Sequence, residues 1–306
     1  MPARVVAIFG PTTSGKTAAA ITLALAIDGE IISADSMQVY AGLERLTNQP
    51  TDDERRGVPH HLVGHVDPWS GYDVARFAAE AHAVIDDVLA RGRTPIVVGG
   101  SGLYLRAALA DLAFPPRADA AERQRIQAAV EQAGPVAAHA RLVATDPAAA
   151  ARIPAGDTRR IVRALELAEL GASLAPAGRD ALWAADARHA TRSFGLLVPR
   201  AVLHERINAR TPRLLAEGGI AEVAALLADS RPLSTTLAKA HGVGDVTALL
   251  AGEIDAVECE RLLATRTRQY AKRQVTWLRK LPTAELVPGD RAAAAVATEI
   301  AARLAG

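Results

Sequence analysis

The sequence has almost no cysteine, with Cys259 the only one among 306 residues. An internal disulfide needs two cysteines, so the fold must rest on a packed core instead of covalent cross-links. The acidic neighbours Glu258 and Glu260 would raise the pKa of this thiol, which argues against a reactive cysteine. We therefore expect a reducing, cytoplasmic setting.

Long uncharged apolar runs are also missing. The N-terminal run Val5–Phe9 is too short for the hydrophobic part of a signal peptide, and no other stretch reaches a membrane-spanning length without a charge, Gly or Pro. Neither sign of charge is in excess, because 35 Lys and Arg face 34 Asp and Glu. We expect no membrane partner, and any binding to nucleic acid must come from local clusters of charge.

A phosphate-binding loop is present near the N-terminus, where residues 10–17 read GPTTSGKT, the pattern G-x-x-x-x-G-K-T. The two glycines permit a tight turn, backbone N–H groups face an anion, the lysine adds charge and the last threonine can ligate Mg²⁺. An apolar run precedes the loop and a helix-prone stretch follows it, as the motif requires. The candidate phosphate-binding residues are Gly10, Pro11, Thr12, Thr13, Ser14, Gly15, Lys16 and Thr17.

Half of the residues are hydrophobic, which is enough for a large core in a chain of this length. Four short apolar runs alternate with helix-prone stretches, a pattern that predicts an α/β fold with a doubly wound parallel sheet. The runs are Val5–Phe9, Ile31–Ala34, Ile96–Val98 and Phe194–Val198. Ligands of such sheets bind beyond the carboxyl ends of the strands, so Asp35, Ser101 and Arg200 are expected to face the phosphate loop.

The segment 114–190 differs in composition, being helix-prone and rich in Ala, Arg and Glu after an initial Pro115-Pro116. We interpret it as an inserted helical subdomain. The phosphate-loop core would then consist of residues 1–113 and 191–306, with its C-terminal part helical nearly to the end.

Positive charge clusters in residues 261–280, which carry seven Lys and Arg and no acidic residue. Arg266, Arg273 and Lys280 recur every seven residues, so on a helix they lie close to one face. A solvated helix surface is the simple interpretation. The lack of a balancing acid favours a polyanionic partner such as a nucleic-acid backbone.

From these residues alone, several functions stay open. ATP is the common ligand of a phosphate loop, and in a small-molecule kinase Asp35 would hold Mg²⁺ through water or accept a proton from a substrate hydroxyl. A nucleic-acid-binding protein that uses the loop only as a switch would bind RNA without forming a product. His60, His61 and His65 suggest a metal cluster, but no Cys or carboxylate at ligand spacing completes a zinc site.

Seven stretches along the chain share their motifs and their order with one known family. They are GPTTSGKT at 10–17, ADSMQVYAGL at 34–43, VPHHLVGHVDP at 58–68, VVGGSGLYLRAAL at 97–109, TDPAAAARI at 145–153, DTRRIVRALEL at 157–167 and TRTRQYAKRQVTWLRK at 265–280. The sequence thereby resembles tRNA dimethylallyltransferases, also called tRNA isopentenylpyrophosphate transferases. The resemblance implies transfer of a dimethylallyl group from dimethylallyl diphosphate to N6 of adenosine 37, beside the tRNA anticodon, with release of diphosphate.

The resemblance also implies a role for individual residues. The phosphate loop would hold the diphosphate, helped by Lys16, by Mg²⁺ on Thr17, and by Arg210 from the opposite side. Asp35 corresponds to the general base that takes a proton from the adenine amine, and Ser101 to a hydrogen-bonding residue near the adenine. The residues implied in tRNA binding are Asp35, Ser36, Met37, Gln38, Ser101, Arg123, Arg159, Arg160, Ile161, Val162, Arg163, Lys239, Lys272 and Arg273. The partner would be the anticodon stem-loop, and we expect a monomer.

The sequence departs from the family's usual pattern at 46–50, where a lysine is lost, at 154–157, and at 239–244, where an aromatic residue is lost. All three segments belong to the family's tRNA side. The closest alternative is an adenylate isopentenyltransferase, which performs the same chemistry on free AMP or ADP. The insertion and the basic helix argue against it, because a mononucleotide needs neither.

Overall fold

The computed structural model describes residues 5–174, 186–281 and 283–306. The chain forms two compact units. The larger unit consists of Met1–Asp111 and Asp186–Gly306, and the smaller unit of Leu112–Ala185.

A six-stranded sheet with only parallel pairings forms the centre of the larger unit. Its strands along the chain are β1 (Val5–Phe9), β2 (Gly29–Ala34), β3 (His60–His61), β4 (Thr94–Gly99), β5 (Thr191–Leu197) and β6 (Ala284–Pro288). Across the sheet the order is β3-β2-β4-β1-β5-β6, so the phosphate loop after β1 lies between the carboxyl ends of β4 and β5. The predicted α/β fold with a parallel sheet is confirmed.

The sequence predicted four of these strands and missed β3 and β6, which form the two edges of the sheet. β3 has only two residues, and in β6 Val287 is the one fully buried side chain. An edge strand is covered on fewer sides, so it needs no continuous apolar run. All five residues of the central strand β1 are buried, which accounts for its uninterrupted apolar sequence.

Helices surround the sheet and fill the smaller unit. The described helices are α1 (Lys16–Ile27), α2 (Asp52–Arg55), α3 (Val74–Ala90), α4 (Gly102–Leu109), α5 (Ala120–Thr145), α6 (Pro147–Ala150), α7 (Thr158–Glu169), α8 (Arg200–Leu214), α9 (Ile220–Leu227), α10 (Val243–Leu250), α11 (Ala256–Leu278) and α12 (Ala293–Ala305). A π-helical turn, Leu215–Gly219, joins α8 to α9. Among the residues described, the C-terminal region after Arg200 is helical as predicted, and β6 is the one strand in it. None of the described helices is both long and apolar enough to cross a membrane.

The main core lies between the sheet and the helices α1 and α12. Ile8, Leu23, Ile96, Phe194 and Ile300 are fully buried there. Truncating one such side chain to alanine typically costs about 2–5 kcal/mol. This packing fixes the start of α1, and with it the phosphate loop that leads into the helix.

The smaller unit has a core of its own, to which Ile126, Leu142 and Leu165 contribute fully or almost fully buried side chains. Helix α5 is broken at Gly134, where φ is 77° and ψ is 162°, and Pro135 starts its second part. A proline is favourable at the start of a helix because its missing N–H would have no partner there. The unit is thus a helical bundle with an independent hydrophobic interior.

The residues at which the chain leaves the larger unit and returns to it lie next to each other in space. Ala110 pairs with Ala187 in an antiparallel bridge, and the N–H of Arg188 donates to the carbonyl of Leu109 over 2.8 Å. The guanidinium of Arg188 also lies 3.1 Å from the carboxylate of Asp111. These contacts join the two break points of the larger unit.

Candidate active site

The phosphate loop turns sharply from the end of β1 into α1. Thr13 and Gly15 have φ angles of 62° and 82°, in the left-handed region that suits glycine at position 15. The N–H of Ser14 donates back to the carbonyl of Pro11 over 3.2 Å. A backbone hydrogen bond therefore closes the turn of the loop.

The loop leaves several N–H groups without protein partners. Within the described residues, the N–H groups of Thr13, Gly15, Lys16 and Thr17 have no hydrogen-bond acceptor. They lie at the N-terminus of α1, where the helix dipole adds partial positive charge. The hydroxyls of Thr13 and Ser14 are buried and likewise lack a partner among these residues. Unsatisfied donors in this arrangement suit a bound anion such as a phosphate.

Two cations face this loop. Lys16 begins α1, and Arg210 reaches the loop from α8 and donates a hydrogen bond to Oγ1 of Thr12 over 2.7 Å. Burial lowers the pKa of Lys16 to about 8, an effect that Asp35 opposes and Arg210 strengthens. Burial also lowers the pKa of Arg210 to about 10. Neither side chain forms an ion pair with a carboxylate in the described part of the chain, so an anion bound between them would remove a real electrostatic cost.

Arg206 also contacts the loop, and the sequence did not predict this contact. Its guanidinium donates to the carbonyl of Thr13 over 3.1 Å and to the carbonyls of Gly289 and Asp290 over 3.3 Å each. It precedes Arg210 by four residues, so both arginines project from one face of α8. That spacing was visible in the sequence and is the signal that could have identified Arg206.

Gln274 of α11 also contacts the loop and was not predicted to do so. Its Oε1 accepts a hydrogen bond from the N–H of Thr12 over 2.8 Å, and its side chain is almost fully buried. The N–H of Thr12 is therefore occupied. This corrects the expectation that all consecutive N–H groups of the loop face the anion.

Asp35 follows β2 directly and faces the same space as Lys16. Its Oδ1 accepts hydrogen bonds from the N–H groups of Met37 and Gln38 over 2.9 and 3.4 Å. These bonds fix the orientation of the carboxylate, and the second oxygen, Oδ2, takes no part in them. Asp35 thus offers one held and one available oxygen, a suitable arrangement for accepting a proton.

A cavity of about 800 Å³ joins these groups within the larger unit. Its wall includes the phosphate loop with Arg206 and Arg210, and also Lys239, His241 and Tyr270. The apolar side chains that line it include Ile21, Met37, Leu46, Leu214 and Leu263. The cavity therefore combines an anion-binding loop, a carboxylate and apolar side chains.

Comparisons with known proteins place the chain in a family. The family model described as IPP transferase matches residues 38–281, and one described as isopentenyl transferase matches residues 3–63. The chain belongs to the IPP transferase family. The resemblance found in the sequence motifs is confirmed.

The similarity to other family members extends over nearly the whole chain. The tRNA dimethylallyltransferase of Anaeromyxobacter sp. (strain Fw109-5) is 46% identical over 280 residues, which cover 90% of this chain and 92% of that protein. The structure of the full-length tRNA isopentenylpyrophosphate transferase of Bacillus halodurans is 34% identical, with a TM-score of 0.70 over 99% of this chain and 97% of the other. A eukaryotic dimethylallyltransferase acting on tRNA is 28% identical, with a TM-score of 0.76 over 93% and 73% of the two chains.

In this IPP transferase, Asp35, Ser36, Met37 and Gln38 all line the cavity. The side-chain amide of Gln38 is already engaged, because it donates to the carbonyls of Thr47 and Asn48. Its oxygen accepts from the hydroxyl of Ser33 over 3.1 Å. Gln38 therefore shapes the 46–50 segment, and its amide is not available to read a base in this conformation.

Two residues expected to face the phosphate loop do not line this cavity. Ser101 immediately precedes α4, is only 7% exposed, and is not part of the cavity wall. Arg200 is exposed at the start of α8, where its Nε lies 3.4 Å from Nε2 of His204. The ends of β4 and β5 were located correctly, but the strand pattern does not determine which of the residues that follow them line the cavity.

The basic helix of this IPP transferase, α11, presents only part of its charge to solvent. Lys272 and Arg273 are exposed, with the Arg273 guanidinium 5.7 Å from the ring centre of Tyr270. Arg266, predicted on the same face as Arg273, instead lies 3.0 Å from the buried carboxylate of Asp245. Arg266 is therefore an ion-pair partner inside the fold as well as a surface cation.

In the smaller unit, two predicted tRNA contacts are corrected. Ile161 and Val162 are 0% and 7% exposed and pack in the hydrophobic core, so their side chains are not available to a ligand in solution. The sequence pattern did not reveal this because these two residues stand inside a run of arginines. The neighbouring Arg159 and Arg160 are exposed.

Arg123 and Arg163 share a structural partner. Both contact the carboxylate of Glu166, over 3.2 and 3.0 Å, and the Glu166 side chain is only 2% exposed. Arg163 donates in addition to the carbonyls of Pro115 and Pro116. These arginines neutralise a buried carboxylate, which is a sufficient reason for their presence in the fold.

The residues near Thr17 include oxygen atoms of the kind that Mg²⁺ prefers as ligands. A small cavity of about 20 Å³, enough for one water molecule, is bordered by Lys16, Thr17, Ser33 and Asp35. Mg²⁺ prefers oxygen ligands and retains several waters, so one hydroxyl with phosphate oxygens is an adequate donor set. Among the residues described, no group of three or more His, Cys, Asp or Glu could hold a metal.

The histidines that suggested a metal cluster have other partners. His61 lies 2.7 Å from the buried carboxylate of Glu30, and His65 lies 3.0 Å from Glu80. Nδ1 of His60 lies 2.8 Å from the carbonyl of Val58. Each ring is thus held by a structural contact.

Proposed function

We propose that the protein transfers a dimethylallyl group from dimethylallyl diphosphate to N6 of adenosine 37 in tRNA, with release of diphosphate. The observation that carries this proposal is a single cavity that joins the phosphate loop and the cations Lys16 and Arg210 to the carboxylate of Asp35. The printed names of the relatives, tRNA dimethylallyltransferase and tRNA isopentenylpyrophosphate transferase, support the same assignment.

The donor diphosphate binds on the phosphate loop in this proposal. The unpaired N–H groups of Thr13, Gly15, Lys16 and Thr17 and the Arg210 guanidinium hold it. When the bond between C1 and oxygen breaks, negative charge gathers on the diphosphate, and these preorganised groups stabilise it. Thr17 would hold a Mg²⁺ ion, which when bound would neutralise part of the same charge.

The acceptor adenine enters the same cavity. Its N6 attacks C1 of the allylic group while an N6 proton passes to Oδ2 of Asp35, so the new C–N bond replaces the broken C–O bond. The exocyclic amine is a weak nucleophile because its lone pair is shared with the ring, and removal of the proton makes attack possible. Adenosine 37 must leave its base stack to reach this carboxylate.

The anticodon stem-loop is the proposed macromolecular partner. The exposed Lys272 and Arg273 of the larger unit, and Arg159 and Arg160 of the smaller unit, would contact its phosphates. Ser36 and Lys239, which line the cavity, would contact the flipped nucleotide. A monomer active in the cytoplasm, as expected from the sequence, is part of the same proposal.

The alternative acceptor is free AMP or ADP. The exposed cations of α11 disfavour it, because a mononucleotide does not extend beyond the cavity. A small-molecule kinase would use the same phosphate loop, but it would consume ATP and need no isoprenoid. These alternatives differ in substrate and can be separated in one assay.

The proposal is tested by giving the purified protein dimethylallyl diphosphate, Mg²⁺ and one of three acceptors. The acceptors are an anticodon stem-loop with adenosine 37, the same stem-loop with guanosine 37, and free AMP, with products analysed by mass spectrometry. We expect a dimethylallyl group on the adenosine stem-loop alone. Transfer to AMP alone would contradict the proposal, as would ATP consumption without transfer in a parallel reaction that is supplied with ATP.

A further inference from the structure

One buried side chain on the basic helix α11 is hydrogen-bonded to the phosphate loop. Oε1 of Gln274 accepts from the N–H of Thr12 over 2.8 Å, and Gln274 is only 1% exposed. Because a buried amide oxygen needs a donor, this bond fixes the position of Thr12 relative to the helix.

The fold makes room for this side chain at Gly100. A Cβ atom at position 100 would lie 2.1 Å from Nε2 of Gln274 and 3.1 Å from its Cδ. The contact with Nε2 is too short for any real carbon atom, while those with Cδ and with the carbonyl oxygen of Gly10, at 3.0 Å, are tight. The glutamine amide therefore occupies the space that the missing side chain leaves. The φ angle of Gly100 is not in the left-handed region, and space alone therefore requires glycine here.

Thr12 is held from a second helix as well. Arg210 of α8 donates to its hydroxyl over 2.7 Å. The two helices are themselves joined, since Arg268 of α11 donates to Oδ1 of Asn208 on α8 over 2.6 Å. Thr12 is thus fixed through its backbone by one helix and through its side chain by the other.

We propose that Gln274 is a positioning residue for the donor site, which holds the phosphate loop in its anion-binding shape through the N–H of Thr12. Thr12 directly precedes Thr13, the residue with the strained φ angle of 62° at which the unpaired N–H groups begin. Without the hydrogen bond at Thr12 the loop would adopt other conformations. Ordering it again around an anion would cost conformational entropy and weaken binding. The proposal rests on the proposed function only in naming the anion as the donor's diphosphate.

The test measures the affinity for diphosphate directly, by calorimetry in the absence of RNA, for Gln274→Met and Gly100→Ala. Methionine matches the length of glutamine but cannot accept the hydrogen bond, and an alanine methyl at 100 would push the amide away from Thr12. We expect each variant to weaken diphosphate binding about 3–10-fold, the usual value of one hydrogen bond. The double variant should lose no more than either single variant, because both changes break the same bond.

Gln269→Met is the matched control, since Gln269 lies on the same helix and is exposed. It should bind diphosphate like the unmodified protein, and all variants should bind the stem-loop and remain folded at the temperature of the assay. The proposal is overturned if Gln274→Met binds diphosphate as tightly as the control, or if the effects of the two single variants multiply. Diphosphate binding is measured without an acceptor, so failure of the proposed transfer reaction would show separately, as an absence of product.

Discussion

Arg210 donates a hydrogen bond to the hydroxyl of Thr12 over 2.7 Å and has no carboxylate partner among the described residues. A surface arginine on a helix would normally pair with a nearby acid. Here burial lowers the pKa of the guanidinium to about 10, so the protein bears a cost for placing this charge at the loop. A bound anion would compensate the unfavourable burial of this charge.

Arg210→Ala is therefore expected to weaken the binding of diphosphate strongly, by about 10²-fold, because a desolvated charge contact is lost. Isothermal calorimetry with inorganic diphosphate measures this directly. Arg200→Ala is the control, since Arg200 stands on the same helix but is exposed and outside the cavity. Equal losses in the two variants would contradict the assignment of Arg210 to the donor site.

Asp35→Asn is expected to reduce turnover by about 10²–10⁴ while leaving stem-loop binding nearly unchanged. Asparagine keeps an Oδ1 acceptor for the N–H of Met37, so the local turn should persist, but it cannot take a proton. Single-turnover prenylation and filter binding give the two quantities. Asp52→Asn, at a fully exposed position, is the control. A normal rate in Asp35→Asn would exclude this carboxylate as the base.

Diphosphate affinity should fall as the pH rises through about 8, the value to which burial lowers the pKa of Lys16. Below this pH the amine is charged and attracts the anion, and above it the amine is neutral. Lys16→Arg should not lose affinity in this range, because an arginine stays charged. Calorimetric titrations of both proteins between pH 7 and 9.5 would test this, and parallel pH curves would contradict it.

The lowered pKa of Lys16 affects the stability of the ligand-free protein in the opposite direction, so that stability increases as the pH rises. The folded pKa of Lys16 lies below its ordinary value of 10.5, so the unfolded chain binds the proton more tightly and stability increases from pH 8 toward pH 10.5. Lys16→Met removes the penalty and should raise the free energy of unfolding at pH 7 by about 1–3 kcal/mol. Thermal denaturation at both pH values would test the sign. A stability loss at pH 7 would show that the charge is compensated.

The double variant Lys272→Ala/Arg273→Ala is expected to weaken stem-loop binding and to reduce the salt dependence of the binding constant. Loss of two phosphate contacts should lower the slope of log K against log salt by about 1.5–2. Arg261→Ala is the control on the same helix, because Arg261 is paired with Glu258. An unchanged slope would mean that this helix surface is only solvated.

Arg266→Ala should instead destabilise the protein, by about 3 kcal/mol, because it leaves the buried carboxylate of Asp245 without its cation. Burial already raises the pKa of Asp245, and the variant should raise it further. Urea denaturation compares the variant with Lys272→Ala, which is expected to be neutral. Similar stabilities for the two would show that the ion pair contributes little.

The sequence predicted those parts of the site that depend on local backbone geometry. The phosphate loop, the central strands and Asp35 at the end of β2 each follow from a short continuous pattern. Gln274 was missed because it reaches the loop from a helix far along the chain, and no local pattern encodes such a contact. Arg206 could have been recognised only from its four-residue spacing to Arg210. Ser101 follows the end of β4 as predicted, but it is buried and does not line the cavity.

Charged residues were the hardest to interpret from sequence. In the sequence, three arginines have no obvious acidic partner, namely Arg123, Arg163 and Arg266. Arg123 and Arg266 are far along the chain from their partners Glu166 and Asp245. Arg163 is only one helix turn from Glu166, but the two stand in a stretch that contains both charged and apolar residues. The composition of a sequence does not show which acidic residues are buried. Whether an arginine is a surface charge or a counter-ion depends on the tertiary fold, and only the structure reveals it.

The contact between Ala110 and Ala187 bears on how such a protein can evolve. The residues that flank the smaller unit are neighbours in space, so a genetic deletion of that unit would leave two ends that a short turn could rejoin. Conversely, a gene segment encoding a helical bundle could be gained at this point without rearranging the strands. The parallel sheet and the helical bundle would then have separate genetic origins in one polypeptide.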